Sequence, residues 1–403
     1  VETEAAYGYK IGTTGSWSAE IEVSETRTYE VECFEQPIWK IRIYKTGDQV
    51  TSATEYESAY GSFKRLDFGQ KPLAGAVFEI YDADGNLVDT VTSGADGYAV
   101  SKELSAGTYY IKEIATKHGL ILTDKVYEVE VGADDEVMIT DISIENAVGD
   151  TEINVYKQGE ILNVADGTYS FGKKPLAGVI FGVYAGADIL DYDGNVVIKK
   201  GECVGYIKTG ADGKATLKDA LVEGSYYYQE VSTLDGYVLD TEEKPFTLVL
   251  GNEELTTFEV NKENPDVNQL YKAKIQMVKT DRADHTITLS GVSFELYQVT
   301  ADGDILMGTY QTDESGTIRI DGLPLGEYYF KEVKSADGYI LDDSHIAVIV
   351  NGDSDEINIS FANEKIPDSP KTGDGAPIQA AATGAILFGS LAAGLWFSRR
   401  KKQ

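Results

Sequence analysis

Short runs of alternating apolar and polar residues recur along the chain, divided by Gly- and Asp-rich turns. KIRIYK (40–45), EINVYK (152–157) and KIQMVK (274–279) alternate with period two, which predicts half-buried strands. After each comes the same series of motifs. A leucine–glycine strand is PLAGAVFEIY (72–81), PLAGVIFGVY (175–184) or LSGVSFELY (289–297). Turns such as DADGN (82–86), DYDGN (191–195) and DESGT (313–317) follow. An aromatic strand is GTYYIKE (107–113), GSYYYQE (224–230) or GEYYFKE (326–332). A last strand ends near an Asn: ISIENA (142–147), FEVNKENP (258–265) or ISFANEKIP (359–367). No long helical periodicity interrupts the series. The pattern predicts an all-β chain of tandem β-sandwich domains, one per repeat of about 100 residues.

The repeats place domains at 38–149, 150–266 and 267–366. The N-terminal stretch carries the same beads. VETEAAYGYKI (1–11) aligns on KEVKSADGYIL (331–341), and TYEVECFEQP (28–37) on NISFANEKIP (358–367). Residues 1–37 are therefore expected to be the C-terminal part of a preceding domain of a longer parent, unable to bury a core alone. Residues 367–403 differ in kind. The run from Ile378 to Phe397 holds no charge, and Ser398-Arg399-Arg400-Lys401-Lys402 follows it. A helix of that length spans about 30 Å, so 378–397 is expected to be a C-terminal transmembrane helix with a basic stop.

Charge narrows the range of partners. The 403 residues carry 67 acidic against 35 basic side chains, a net charge of -32, which repels nucleic acid and anionic membrane surfaces. The two cysteines, Cys33 and Cys203, and the three histidines, His118, His285 and His345, are scattered without metal-ligand spacing. The Asp-Gly turns lack the full EF-hand pattern and read as plain β-turns. No cofactor and no metal are expected, and Cys203 takes no role.

Strand alternation picks out a set of polar residues facing inward. Lys45 shares a face with Ile41 and Ile43, Lys157 with Ile153 and Val155, and Lys279 with Ile275 and Met277. Glu113 follows Tyr109 and Ile111, Glu230 follows Tyr226 and Tyr228, and Glu332 follows Tyr328 and Phe330. Asn146 and Asn363 take the apolar face of the last strand. In the second repeat the parity breaks: Asn261 lies with Thr257 and Glu259, a β-bulge would bring it inward, and Asn264 is the fallback. Burying Lys, Glu and Asn together is costly unless they pair. Two readings are open. One is an ion pair capped by the Asn. The other is covalent: burial lowers the Lys pKa and raises that of Glu. A neutral amine then attacks the Asn amide, the acid donates to its carbonyl and shuttles protons, and ammonia leaves.

The beads LAGAVFEIY and YYFKEVKSADGYIL resemble those of SpaA-like or collagen-adhesin B-type domains of Gram-positive pilins and adhesins. The resemblance covers nearly the whole chain through Pro367. It implies immunoglobulin-like or prealbumin-like sandwiches in tandem, with a self-formed Lys–Asn isopeptide bond between first and last strands, assisted by a Glu. Carried over, the sets are Lys45, Glu113 and Asn146; Lys157, Glu230 and Asn261; and Lys279, Glu332 and Asn363. The interval from Glu to Asn is the same in the second and third sets and slightly longer in the first. Cys33 occupies the Asn slot of the N-terminal remnant, so the preceding domain is expected to lack the crosslink. Ser369-Pro370-Lys371-Thr372-Gly373, with the apolar span and basic tail behind it, resembles the LPxTG sorting signal, with Ser in place of Leu. The resemblance implies a sortase that cleaves after Thr372 and joins it to peptidoglycan, after transient membrane insertion through 378–397.

The expected protein is a cell-wall-anchored stalk, an adhesin or minor pilin, with single-turnover chemistry only. Other pilin subunits or a host ligand are its further expected partners. A pilus shaft subunit is the rival reading, although no Tyr-Lys pair carries the Pro of a YPKN-like motif. A stalk beneath an upstream surface enzyme is the third.

Overall fold

The computed structural model describes residues 9–10, 36–132 and 138–367. All regular elements among them are β-strands. No helix among the described residues is long and apolar enough to cross a membrane. Cys33, the expected span 378–397 and the pentapeptide 369–373 lie outside the described residues. Within residues 1–37, Tyr9–Lys10 pairs antiparallel with Gln36–Pro37.

Three units of two facing sheets follow one another, and the alternating pattern accounts for both sheets. In the first unit one sheet is built on Lys40–Ser58. That strand pairs antiparallel with Gly61–Pro72 and Tyr98–Val100, and parallel with Ile139–Asn146. The other sheet has the order Leu87–Thr92, Val77–Tyr81, Gly107–Ala115, Val126–Val131, all antiparallel. Inward positions of both sheets meet in a core of Ile41, Ile43, Phe78, Ile80, Ile111 and Ile144. The second unit repeats this around Asp150–Ala165, and the third around Lys272–Asp281. Their second sheets run 203–208, 180–185, 224–232, 244–248, and 305–311, 293–298, 326–334, 345–350.

The turn aspartates are occupied locally. The Asp82 carboxylate accepts from the backbone N–H of Asp84 and Asn86, Asp191 from Asp193 and Asn195, and Asp313 from Ser315 and Thr317. Each side chain thus closes its own turn. Gly85 and Gly194, at φ 82° and 87°, supply the left-handed residue these turns require.

The repeats did not anticipate how the units join. The first strand of the first unit runs 19 residues, well past its own sheet, and returns through Gly61–Pro72 as a hairpin arm over the second unit. Val50 and Leu66 of this arm are buried in the second unit's core, beside Ile153, Val204 and Tyr226. The Tyr192 amide donates to the Val50 carbonyl at 2.8 Å, Lys64 pairs with Glu202 at 2.8 Å, and Arg65 with Asp219 at 3.0 Å. The arm of the second unit, 157–175, does the same to the third. Leu162, Val164 and Tyr169 pack on its core, and Lys272 pairs with Glu160 at 2.7 Å. The third unit has no arm among the described residues: its first strand ends at Asp281, whose amide donates to Ile287 across a short turn.

Because Leu66 belongs by sequence to one unit and by burial to the next, Leu66→Ala should destabilise the second unit by about 2–4 kcal/mol. Amide hydrogen exchange read along the chain checks this. Protection should fall most across 151–259 and less across 272–363.

Candidate functional site

The first and last strands of each unit are parallel neighbours, and this brings together residues far apart in sequence. Lys45 lies opposite Ile144, two positions before Asn146. Lys279 lies opposite Phe361, two positions before Asn363. Side chains two apart share a face, so both Asn residues lean inward beside the Lys. The central strand of the opposite sheet brings up the Glu. All three Lys and all three Glu, with Asn146, Asn268 and Asn363, are between 0 and 3% exposed.

The second unit corrects the sequence reading. Asn261 is not in the cluster, and neither is the fallback Asn264, which is exposed. Asn268 takes the place, two positions beyond Asp266, the partner of Lys157. The cause is a break in the last strand. Leu255–Glu259 pairs with 150–154, and pairing resumes with Asp266–Asn268 on 157–159. Three steps on the first strand, from Asn154 to Lys157, match seven on the last, from Glu259 to Asp266. Unbroken register would have put Asn264 in the slot. Asn261 fills the gap instead: its Oδ1 accepts from the Tyr156 amide at 2.7 Å and its Nδ2 donates to the Tyr156 carbonyl at 2.9 Å. It stands in for a missing strand residue. One spacing in the sequence does find Asn268. The interval from Asn146 to Lys157 equals that from Asn268 to Lys279.

The three clusters have one geometry at their acid. Asn Nδ2 donates to Glu Oε1 at 3.1 Å in the first, 2.7 Å in the second and 2.7 Å in the third. The acid therefore faces the amide nitrogen, rather than the carbonyl oxygen assumed from sequence. The Lys positions differ. Lys157 Nζ is 2.8 Å from Glu230 and Lys279 Nζ 2.9 Å from Glu332, and Lys279 also donates to the Asn363 side-chain oxygen. Lys45 Nζ is 3.8 Å from Glu113 and donates to the Thr46 carbonyl at 2.6 Å. The Asn146 and Asn268 side-chain oxygens are buried without a hydrogen-bond partner. Phenylalanine rings surround two of the amines: Lys157 lies over Phe181, and Lys279 over Phe294 and Phe361.

A known family of domains matches the sequence of the three units. The family described as SpaA prealbumin-like fold domain matches residues 61–146, 165–265 and 273–365, well over half of the chain. The chain belongs to that family. Its three SpaA units also resemble individual proteins. The "Trypsin-resistant surface T6 protein" of Streptococcus pyogenes serotype M6 is 37% identical over 87 residues, which is 21% of this chain and 16% of the streptococcal protein. The structure of "The Bacillus anthracis TIE protein" superposes with a TM-score of 0.53 at 23% identity, over 81% of this chain and 51% of that one. The major pilin subunit BcpA of Bacillus cereus has a TM-score of 0.34 at 16% identity, over 81% of this chain and all of that one. The chain thus spans about half or less of the first two of these relatives.

Burial shifts the protonation of Lys45, Glu113 and Lys279. Removal from water pushes the Lys45 amine down from 10.5 to about 8, with Glu113 opposing the shift. It lowers Lys279 in the same direction and raises the Glu113 carboxyl. Both shifts run toward the neutral pair, an uncharged amine beside a protonated carboxyl, and so toward a nucleophile next to an acid.

With Asn146→Ala, the Lys45 amine has no amide beside it and stays free to titrate. Between pH 8 and 10.5 the unfolded chain binds a proton on Lys45 that the folded unit has shed, so stability rises with pH. The melting temperature of the variant, measured against the parent chain, should climb over that window and level off above it. A flat difference would show that Lys45 keeps its ordinary pKa in the fold.

Proposed function

We propose that this chain is a stalk of a Gram-positive cell-surface protein whose SpaA units each close on themselves by a Lys–Asn isopeptide bond. The bonds join Lys45 to Asn146, Lys157 to Asn268 and Lys279 to Asn363. The observation that carries the proposal is the threefold recurrence of one buried Lys, Glu and Asn at one register, the Asn two positions beyond the partner of the Lys. A buried ion pair would need no such Asn. In the reaction, Nζ attacks the Asn Cγ and the bond from Cγ to Nδ2 breaks. The Glu takes a proton from the amine and delivers it to Nδ2, which leaves as ammonia. No exogenous substrate is needed, because the buried Lys and Asn supply both reacting groups. The reaction occurs once per unit.

Closing a loop of about 100 residues is worth roughly 4–5 kcal/mol by analogy with a disulfide of that span. The mechanical effect is larger. Each unit is entered by its first strand and left by its last, so a pull loads these strands in shear, and a bond between them carries the load in covalent form. This suits a stalk. Ser369 to Gly373, the apolar run and the basic tail support anchoring by a sortase through Thr372 to peptidoglycan. The streptococcal relative is named as a trypsin-resistant surface protein. Closed SpaA units would resist trypsin in the same way, because each bond consumes a Lys and prevents local opening.

High-resolution intact mass of the segment 38–367 tests the chemistry. The expected mass is short by three ammonia molecules. Asn268→Ala should restore one of them, and Asn261→Ala none. An unshortened mass in the parent chain would reduce all three clusters to ion pairs. Retention of the full deficit in the Asn268→Ala chain would return the second bond to another Asn.

A further inference from the structure

A fourth side chain touches the reacting atoms in every unit. The second hydrogen of the Asn Nδ2 is donated to a hydroxyl: Thr116 Oγ1 at 2.9 Å, Thr233 Oγ1 at 2.7 Å and Ser335 Oγ at 2.7 Å. Each hydroxyl stands three positions after the Glu. By strand alternation that position would face outward. It faces inward because the strand has ended. The aromatic strands stop at Ala115, Ser232 and Lys334, and the hydroxyl is in each case the next residue, where the chain turns.

We infer that Thr116, Thr233 and Ser335 are catalytic residues of bond formation, holding the leaving nitrogen and passing it to solvent as ammonia. The inference rests on the isopeptide reading of the same clusters. Two observations carry it. With Glu Oε1 on one N–H and the hydroxyl on the other, both hydrogens of the amide nitrogen are held, so the amide plane cannot rotate. The residue that carries the hydroxyl is also the partly exposed member of each cluster: Lys, Glu and Asn are buried, whereas Thr116, Thr233 and Ser335 are half-buried. The atoms balance as before. The Lys amine loses one proton to the Glu, Nδ2 gains it, the Cγ–Nδ2 bond breaks and the amide bond to Nζ forms. The hydroxyl exchanges no proton. It accepts an N–H throughout, first from the amide and then from ammonia on the solvent side of the site.

The test is the rate of closure in the full 403-residue chain made by cell-free synthesis. Samples are quenched at intervals, and each crosslinked peptide is measured by mass spectrometry. Thr116→Val, Thr233→Val and Ser335→Ala should each slow their own bond about tenfold or more, the worth of one hydrogen bond to a reacting group, and leave the other two bonds as internal controls. Ser335→Thr should close at close to the parental rate. Hydrogen exchange in the first strand shows that each variant unit is folded. Equal rates in parent and folded variants would overturn the inference while leaving the isopeptide bonds in place. Loss of folding in all three variants would also overturn it, because the hydroxyl would then be structural. A parent chain that loses no ammonia would remove the reaction itself, and that outcome is visible before any variant is made.

Discussion

A lysine amine sealed inside a β-sandwich is the constraint around which each SpaA unit is arranged. Taking a charge out of water costs several kcal/mol unless a partner and hydrogen bonds compensate. The same solution appears three times. The Glu comes from the centre of the facing sheet, the Asn from the strand beside the Lys, and aromatic rings wall off two of the three amines. The parallel pairing of first and last strands makes this possible, because it sets a residue near the start of a unit beside one near its end. Register fixes the rest: the Asn must fall two positions past the partner of the Lys to share its face. Where the last strand of the second unit breaks, the Asn moves along the sequence and the register at the Lys is kept.

Much of this was legible from the alternation of side chains. Period two located the Lys and Glu of all three clusters, since both lie on uninterrupted strands whose apolar neighbours mark the inward face. It located Asn146 and Asn363 for the same reason. It failed at Asn268 because parity counts only within one continuous strand, and 260–265 does not pair as one. The constant interval from each Asn to the next Lys survives the break, because it measures the connection between units. The hydroxyls at 116, 233 and 335 were invisible to parity for a related reason: each lies just past a strand end. The hairpin arms were missed because the repeats were aligned on what they share. The arms lie in the interval between the first two beads, 48–71 in one unit and 160–174 in the next, where the lengths differ.

The arms change what a unit is. Val50 and Leu66 complete a core that their own sequence neighbours do not contain, and Leu162, Val164 and Tyr169 do so for the next. The folding of each unit is thereby linked to that of its successor. Burial of apolar side chains supplies the adhesion, and the pairs Lys64–Glu202 and Lys272–Glu160 set its direction and seating. The third unit departs from the series, with a first strand cut to 10 residues and a short turn in place of an arm.

The short connection between one Asn and the next Lys also sets how far the chain can lengthen. If each unit is closed at its Lys and Asn, tension crosses the unit through a single side-chain bond and then runs along that connection alone. Fully drawn out it measures about 36–40 Å, and it already lies largely in extended strand. The remaining backbone of each unit, looped between its Lys and its Asn, is outside the line of force. Such a tether holds almost no hidden slack. It would transmit a tug from one end to the other nearly unchanged, where an open chain of sandwiches would absorb it by unravelling.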